Sequence, residues 1–252
     1  MSEQNFAAMQ YTPRAADYVT SAVHAQGADL DQIESLLGAH GDAQVLDLGC
    51  GGGHVSYRAA PHVSRVVAVD VTTAMLDQVR KTAALKGLGN IETRRAPAED
   101  LPFANAAFDI VLCRFTAHHW QDFPAGLREA HRVLKPGGMA VFIDTVAPNA
   151  RVLDTHLQAV ELLRDASHVR NYSVPEWVAE LARAGFTVQS TTLRRLRMEF
   201  ASWIARTQTP PEFAAAIRQL QRAAPEEVRA HFATGDDGSF DIESATFVLG
   251  AG

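Results

Sequence analysis

Five short apolar runs succeed one another between Gln44 and Asp144, separated by helix-periodic stretches and glycine turns. Val45-Leu46-Asp47-Leu48 predicts a first strand, and the glycine turn after it leads into a helix reaching about Ala60. Residues 65–70 predict a second strand, and 73–86 a helix with Met75, Leu76 and Val79 on one face. Residues 91–94 and 108–113 predict the third and fourth strands, the latter followed by a helix ending near Leu134. Lys135-Pro136-Gly137-Gly138 reads as a stop and turn ahead of a fifth strand at 139–143. Strands that are apolar throughout are buried on both faces. The alternation therefore predicts a sheet covered by helices on either side, a doubly wound, mostly parallel α/β fold.

Residues 11–38 are helical in pattern, 149–171 form a helix-rich insertion, and 199–232 predict two or three helices with starts at Pro210-Pro211 and Pro225. Between the insertions, 174–184 reads as an amphipathic helix closed by Gly185, and 186–193 as a strand. Residues 244–249 complete a seven-stranded sheet. Ligands of open α/β sheets sit beyond the carboxyl ends of the strands. The expected organisation is one domain, with a core at about 40–148, 172–196 and 240–252. Segments 1–38, 149–171 and 199–232 form a helical lid over the crevice.

Charge narrows the ligand. Lys and Arg number 23 against 29 Asp and Glu, a net of −6, whereas nucleic-acid binders draw most of their affinity from basic faces. The cluster Arg194, Arg195 and Arg197 reads as a solvated strand edge or an anion contact, so a small molecule is expected and a nucleic acid is not. Cys50 and Cys113 belong to no CxxC pair and fall in predicted core, as reduced thiols do. Residues 1–10 carry no basic start followed by an apolar run, and no stretch approaches the roughly 18 apolar residues of a membrane span. A cytoplasmic protein is expected.

Gly49-Cys50-Gly51-Gly52-Gly53 lies between the first strand and the next helix, where missing Cβ atoms let backbone N–H groups approach a ligand. A tight strand-to-helix turn would use the same glycines. A dinucleotide fingerprint, G-x-G-x-x-G/A, would place its third small residue at His54, which counts against a pyrophosphate. Asp70, ending the second strand, can accept both hydroxyl protons of a ribose or cap the helix near Thr73. Together they fit a nucleoside-bearing cofactor of either class, S-adenosylmethionine (SAM) or NAD(H).

A resemblance separates the two. Val45 through Gly53 resembles the glycine motif of class I SAM-dependent methyltransferases. Ala98-Glu99-Asp100-Leu101-Pro102-Phe103, Phe108-Asp109-Ile110-Val111 and Val133-Leu134-Lys135-Pro136-Gly137-Gly138 resemble that family's later motifs, in its order, across about 40–145. The branch is similar to the ubiquinone/menaquinone biosynthesis methyltransferases. Asp165 to Arg170 and Ser202 to Arg206 resemble segments of a bacterial small-molecule subgroup. The resemblance implies a Rossmann-like fold and methyl transfer from SAM to a small acceptor, leaving S-adenosylhomocysteine. It implies that Gly49, Cys50 and Gly51 hold the methionyl part, with Asp47 orienting its ammonium and the Arg114 carbonyl accepting from it. Asp70 would bind the ribose, Val71 and Met75 would pack on the adenine, and Ala98 N–H with the Glu99 side chain would read its edge. Pro97 departs from the Asp that many relatives carry there, which leaves more of that reading to Glu99.

Methyl transfer needs an aligned nucleophile above all, and a base where the acceptor is a phenol, an enol or an acidic carbon. His118, His119 and Asp144 follow the fourth and fifth strands and are the candidates, against loop-capping and packing alternatives. His168, Arg170, Trp203 and Arg206 in the expected lid, with Tyr18 and His24 before the core, are candidate acceptor contacts. Arginine offers a fork for an anion and tryptophan a flat wall for a ring. The alternative for the lid residues is ordinary packing and surface ion pairing. The acceptor so drawn is planar or partly apolar and anionic. No carboxylate set marks a Mg²⁺ site, so no metal is expected. A non-catalytic SAM-binding protein and an NAD(P)-dependent oxidoreductase are the rival readings.

Overall fold

The computed structural model describes residues 27–38 and 40–251. Among them the strands β1 (Gln44–Leu48), β2 (Arg65–Asp70), β3 (Ile91–Arg95), β4 (Phe108–Arg114), β5 (Leu134–Val146), β6 (Phe186–Met198) and β7 (Phe240–Ala251) form one sheet in the order β3-β2-β1-β4-β5-β7-β6. β1 to β5 pair in parallel, while β7 runs antiparallel to both β5 and β6. The expected doubly wound α/β sheet is thus present, mostly parallel and seven-stranded.

Burial explains the order. Val45, Leu46 and Leu48 of β1 and Ile110, Val111 and Leu112 of β4 are buried on both faces, as central parallel strands must be. β3 (Ile-Glu-Thr-Arg-Arg) and the alternating β6 carry charges and lie at the edges, where charge discourages further pairing. Arg195 and Arg197 of β6 pair with Asp241, and Arg194 donates to Thr246 and Gln32. The arginine cluster is a solvated strand edge.

Helices α1 (Ala28–Leu37) and α2 (His54–Ala59) cover one face through Leu30, Ile33, Leu37 and Val55. The other face packs on α4 (Phe123–Val133) and α6 (Val174–Arg183), with Phe123, Leu127 and Trp177 fully buried. Helix α3 (Thr73–Leu85) follows β2 and buries Met75, Leu76 and Val79. Asp122 caps α4, and a reciprocal Ser173–Glu176 box starts α6. A third apolar cluster lies apart from the two sheet faces. It joins α5 (Arg151–Arg164), α7 (Phe200–Arg206), α8 (Pro211–Ala223) and α9 (Glu226–His231) through Leu157, Val160, Trp203, Ile217 and Val228, with Met198, Phe240 and Ile242 from the ends of β6 and β7.

Two local expectations need correction. Lys135-Pro136-Gly137-Gly138 is not a turn ahead of β5 but a bulge inside it. Leu134 already pairs with Phe108, pairing resumes at Met139 with Ile110, and Gly137 takes the left-handed φ of 73° that absorbs the extra residues. β6 runs on through Arg194–Arg197 to Met198, five residues beyond the expected end at Leu193, because every residue from Leu193 to Met198 finds a partner in β7. The expected helix at 11–38 is seen as α1, and residues 11–26 lie outside the described part. No helix of the described residues is long and apolar enough to cross a membrane.

Candidate active site

The strand order reverses between β1 and β4, and the crevice beyond their carboxyl ends is where a doubly wound sheet binds its ligand. The main cavity lies there, with Gly49 to Gly52, Asp47, Asp70, Val71 and Met75 along its floor. Gly49 (φ 70°) and Gly51 (φ 48°) take left-handed conformations. A Cβ on Gly49 would collide with Thr116, at 2.3 Å from its Oγ1, while the space over Gly51 is open to 4 Å. The first glycine therefore serves the turn, and the second leaves a cradle that a ligand can fill.

Two carboxylates face this floor. Asp70 is fixed by the Gly51 N–H (2.9 Å) on one oxygen and the Thr72 N–H (2.8 Å) on the other. These bonds fasten the glycine turn to the start of α3, and the same carboxylate lines the cavity. Burial raises its pKa, against the pull of those amides. Asp47 is 1% exposed and accepts from Ser56 Oγ at 2.5 Å. Desolvation pushes it up to about 7 despite that bond. A cation brought beside Asp47 would restore its charge, so the site suits an ammonium group. Arg114 lines the cavity with its guanidinium held by Asp29 of α1, Nε to Oδ2 2.5 Å. A smaller adjoining cavity shares Gly49, Asp70, Val71, Thr116 and His119 with the main one and adds Pro97, Ala98 and Glu99. There Glu99 Oε1 accepts from Gln121 N (2.9 Å) and Asp122 N (3.3 Å), so this carboxylate also anchors the start of α4.

Beyond the floor the same cavity is lined by His118, His119 and Thr145. His118 lies on a 3₁₀ turn after β4, and its Nδ1 meets Asp144 Oδ1 at 2.5 Å. A carboxylate only accepts, so Nδ1 carries the proton and Nε2 is left to exchange one. Asp144 is 1% exposed and also accepts from the Thr145 N–H (2.8 Å). Burial opposes charge on His118, but the Asp144 carboxylate outweighs it and, with Glu161 and Asp165, raises the pKa above that of an ordinary histidine. His119, its Nδ1 on Ser167 O (3.0 Å), is driven down to about 4 by burial and by His118. His168, whose Nε2 meets Gln158 Oε1 at 2.9 Å, falls to about 2 for the same reasons. Of these three neighbouring imidazoles, His118 is the one built to carry a proton.

The roof of this end comes from α5 (Glu161, Arg164), the loop after it (Asn171), the end of β6 (Leu196, Met198), α7 (Trp203, Arg206) and β7 (Ile242). Trp203 and Arg206 were expected here. Arg170 and His168 stand outside the lining: Arg170 Nη2 binds Asp154 (3.0 Å) and Glu176 (3.4 Å), and His168 packs behind His118 with ring centroids 5.8 Å apart. Tyr18 and His24 fall outside the described residues. Glu161, Arg164 and Asn171 were not anticipated. A sequence signal existed for Arg164, which follows Leu157 and Val160 on the buried stripe of α5 at helical spacing. An arginine on such a stripe needs a reason to be there.

A methyltransferase domain model matches residues 46–142. The uncharacterized methyltransferase YcgJ of Bacillus subtilis 168 is 34% identical over 222 residues, 88% of each chain. The chain belongs to the SAM-dependent methyltransferases. YafE of Escherichia coli K12 is 47% identical to this methyltransferase over 188 residues, 75% of this chain and 91% of that protein. The crystal structure of YcgJ superposes with a TM-score of 0.85 at 32% identity, covering 88% of this chain and 97% of that one. The ubiquinone/menaquinone biosynthesis C-methyltransferase UbiE of Geotalea daltonii is 34% identical over 120 residues, 46% of this chain and 51% of that protein. The enzyme methylates a small-molecule acceptor, and the oxidoreductase alternative is not favoured.

Proposed function

We propose that the methyltransferase binds SAM along the floor and methylates an acid-bearing acceptor held under the roof, with His118 as general base. The observation that carries this reading is the single cavity that joins the glycine turn and Asp70 to the His118–Asp144 pair. SAM, when bound, supplies an electrophilic methyl group on a sulfonium. Asp47 and the Arg114 carbonyl orient its ammonium, the backbone of Gly49, Cys50 and Gly51 holds the methionyl chain, and Asp70 accepts from the ribose hydroxyls. Val71 and Met75 pack on the adenine, with Ala98 N–H and Glu99 at its edge. His118 Nε2 takes the acceptor's proton as the nucleophile develops, Asp144 stabilises the imidazolium, and the proton then leaves to water. Trp203 offers the acceptor ring a flat wall. Arg206 and Arg164 face its anionic group, in place of Arg170, which stands outside the cavity lining. Cys50 and Cys113, buried and free, suit the reducing cytoplasm.

The cofactor half is tested first. Replacing Asp70 with Ala removes two charge-assisted hydrogen bonds to the ribose, and S-adenosylhomocysteine affinity by calorimetry is expected to fall at least tenfold, about 1.4 kcal/mol or more. Affinity within twofold of wild type would take Asp70 out of the cofactor site.

A further inference from the structure

At the acceptor end the side-chain amide of Asn171 holds a buried N–H group with no partner among the described residues. Asn171 is 1% exposed and lines the main cavity, yet its Nδ2 makes no hydrogen bond. Buried amides are rarely left so, because an unmet donor forfeits its hydration without return. The residue is nevertheless firmly placed. Gln158 clamps its backbone from both sides, Oε1 accepting from Asn171 N (3.0 Å) and Nε2 donating to Asn171 O (2.8 Å). The two preceding residues bind the catalytic loop: Val169 N and Arg170 N both donate to His118 O, at 2.9 and 3.2 Å. The loop that carries the orphan donor is thus tied to the backbone of the base.

We propose that Asn171 is a specificity residue that donates through Nδ2 to a carbonyl oxygen of the methyl acceptor, beside the group that loses its proton to His118. This rests on the general-base reading above. Apart from the arginines that face the acid group, the site presents the Asn171 amide as a neutral N–H donor and His118 as a proton acceptor. Its complement is a molecule with one oxygen acceptor and one acidic hydroxyl or carbon: a hydroxyaryl carbonyl compound, or an enolisable dicarbonyl. The Asn171 hydrogen bond strengthens as the conjugated oxygen gains negative charge, so the contact stabilises the anion that His118 produces. The surrounding walls, Leu196, Met198, Trp203 and Ile242, suit the flat apolar remainder of such a molecule.

The test uses the full-length enzyme, wild type and Asn171→Leu, saturated with S-adenosylhomocysteine. Binding of 2-hydroxyacetophenone and acetylacetone is compared by calorimetry with that of phenol and acetone, which carry one function each. Long-wavelength absorbance follows the phenolate fraction of bound 2-hydroxyacetophenone. The expected result is at least tenfold tighter binding of the two-function probes to wild type, with the bound phenol ionising at lower pH than in solution. Both advantages vanish in Asn171→Leu while S-adenosylhomocysteine affinity stays within twofold. The variant's Tm is expected at or above wild type, since an unmet donor is replaced by an apolar group of similar size. A Tm several degrees lower would mean that Asn171 is structural and would overturn the proposal. Equal binding of one- and two-function probes to wild type, or an advantage that survives in Asn171→Leu, would overturn it equally. Loss of S-adenosylhomocysteine binding by wild type would count against the cofactor reading instead. A two-function advantage that His118→Gln abolishes in phenol ionisation but not in affinity separates the base from the carbonyl contact.

Discussion

Replacing His118 with Gln is expected to lower turnover by roughly 10²–10⁴-fold, the usual worth of a positioned general base, while S-adenosylhomocysteine affinity stays within threefold. Gln keeps the size and the hydrogen bond toward Asp144 but cannot take up a proton. The pH profile carries the sharper signature. A base whose pKa is raised must shed its proton before it can act, so kcat/KM should climb with pH and level off above the ordinary histidine value of about 6.5. Asp144→Asn removes the carboxylate that holds the proton on His118. The inflection should then move to lower pH while the plateau rate falls, because the imidazolium has lost its partner. An inflection that stays put in Asp144→Asn would remove the pair from catalysis. His119 provides the control: held near 4 and hydrogen-bonded through Nδ1 to Ser167 O, it cannot produce a limb above neutrality.

The second large effect is expected at Trp203. Its ring is 1% exposed, meets Phe240 edge-on at 4.9 Å, and lies under the Arg164 guanidinium at 4.8 Å, while its carbonyl accepts from Arg164 Nε. Truncation to Ala should cost about 3–5 kcal/mol, the range for a large aromatic removed from a packed interior. The loss should be local, because Trp203 belongs to the cluster formed by α5, α7, α8 and α9 and not to either face of the sheet. Amide exchange in those helices should accelerate a hundredfold or more, with β1 and β4 protected as before. S-adenosylhomocysteine affinity should change by less than threefold while turnover is lost. Unchanged exchange in α5 would show that the roof does not unfold as a unit of its own.

What the sequence revealed follows from what is local in it. The ends of β1, β2 and β4 were legible because a central parallel strand is an unbroken apolar run, and the floor motif could be read because its glycines are consecutive. The bulge at Lys135-Pro136-Gly137-Gly138 was not, since those residues also make an excellent turn. Only pairing of Leu134 with Phe108 decides between the two. The far end of β6 was hidden for a related reason: its arginines look like loop until β7 lies beside them. His118 and Asp144 could each be singled out as strand-end residues, but nothing in the sequence joins residues 26 apart into one proton-holding unit. The roof was least legible. Arg164, Asn171, Met198 and Ile242 come from four separate segments, and each looks ordinary in its own surroundings.

That one cavity serves both ends bears on the order of events. On the proposed reading, the crevice beneath the roof would gain its floor when the glycine cradle and Asp70 are covered, since both ends line one cavity. An acceptor arriving first would leave the cradle over Gly51 uncovered, where a Cβ would meet nothing within 4 Å. On that reading, the molecule that donates the methyl group would also be a wall of the acceptor's pocket, and the expected order is cofactor in first, acceptor second, methylated product out before the spent cofactor.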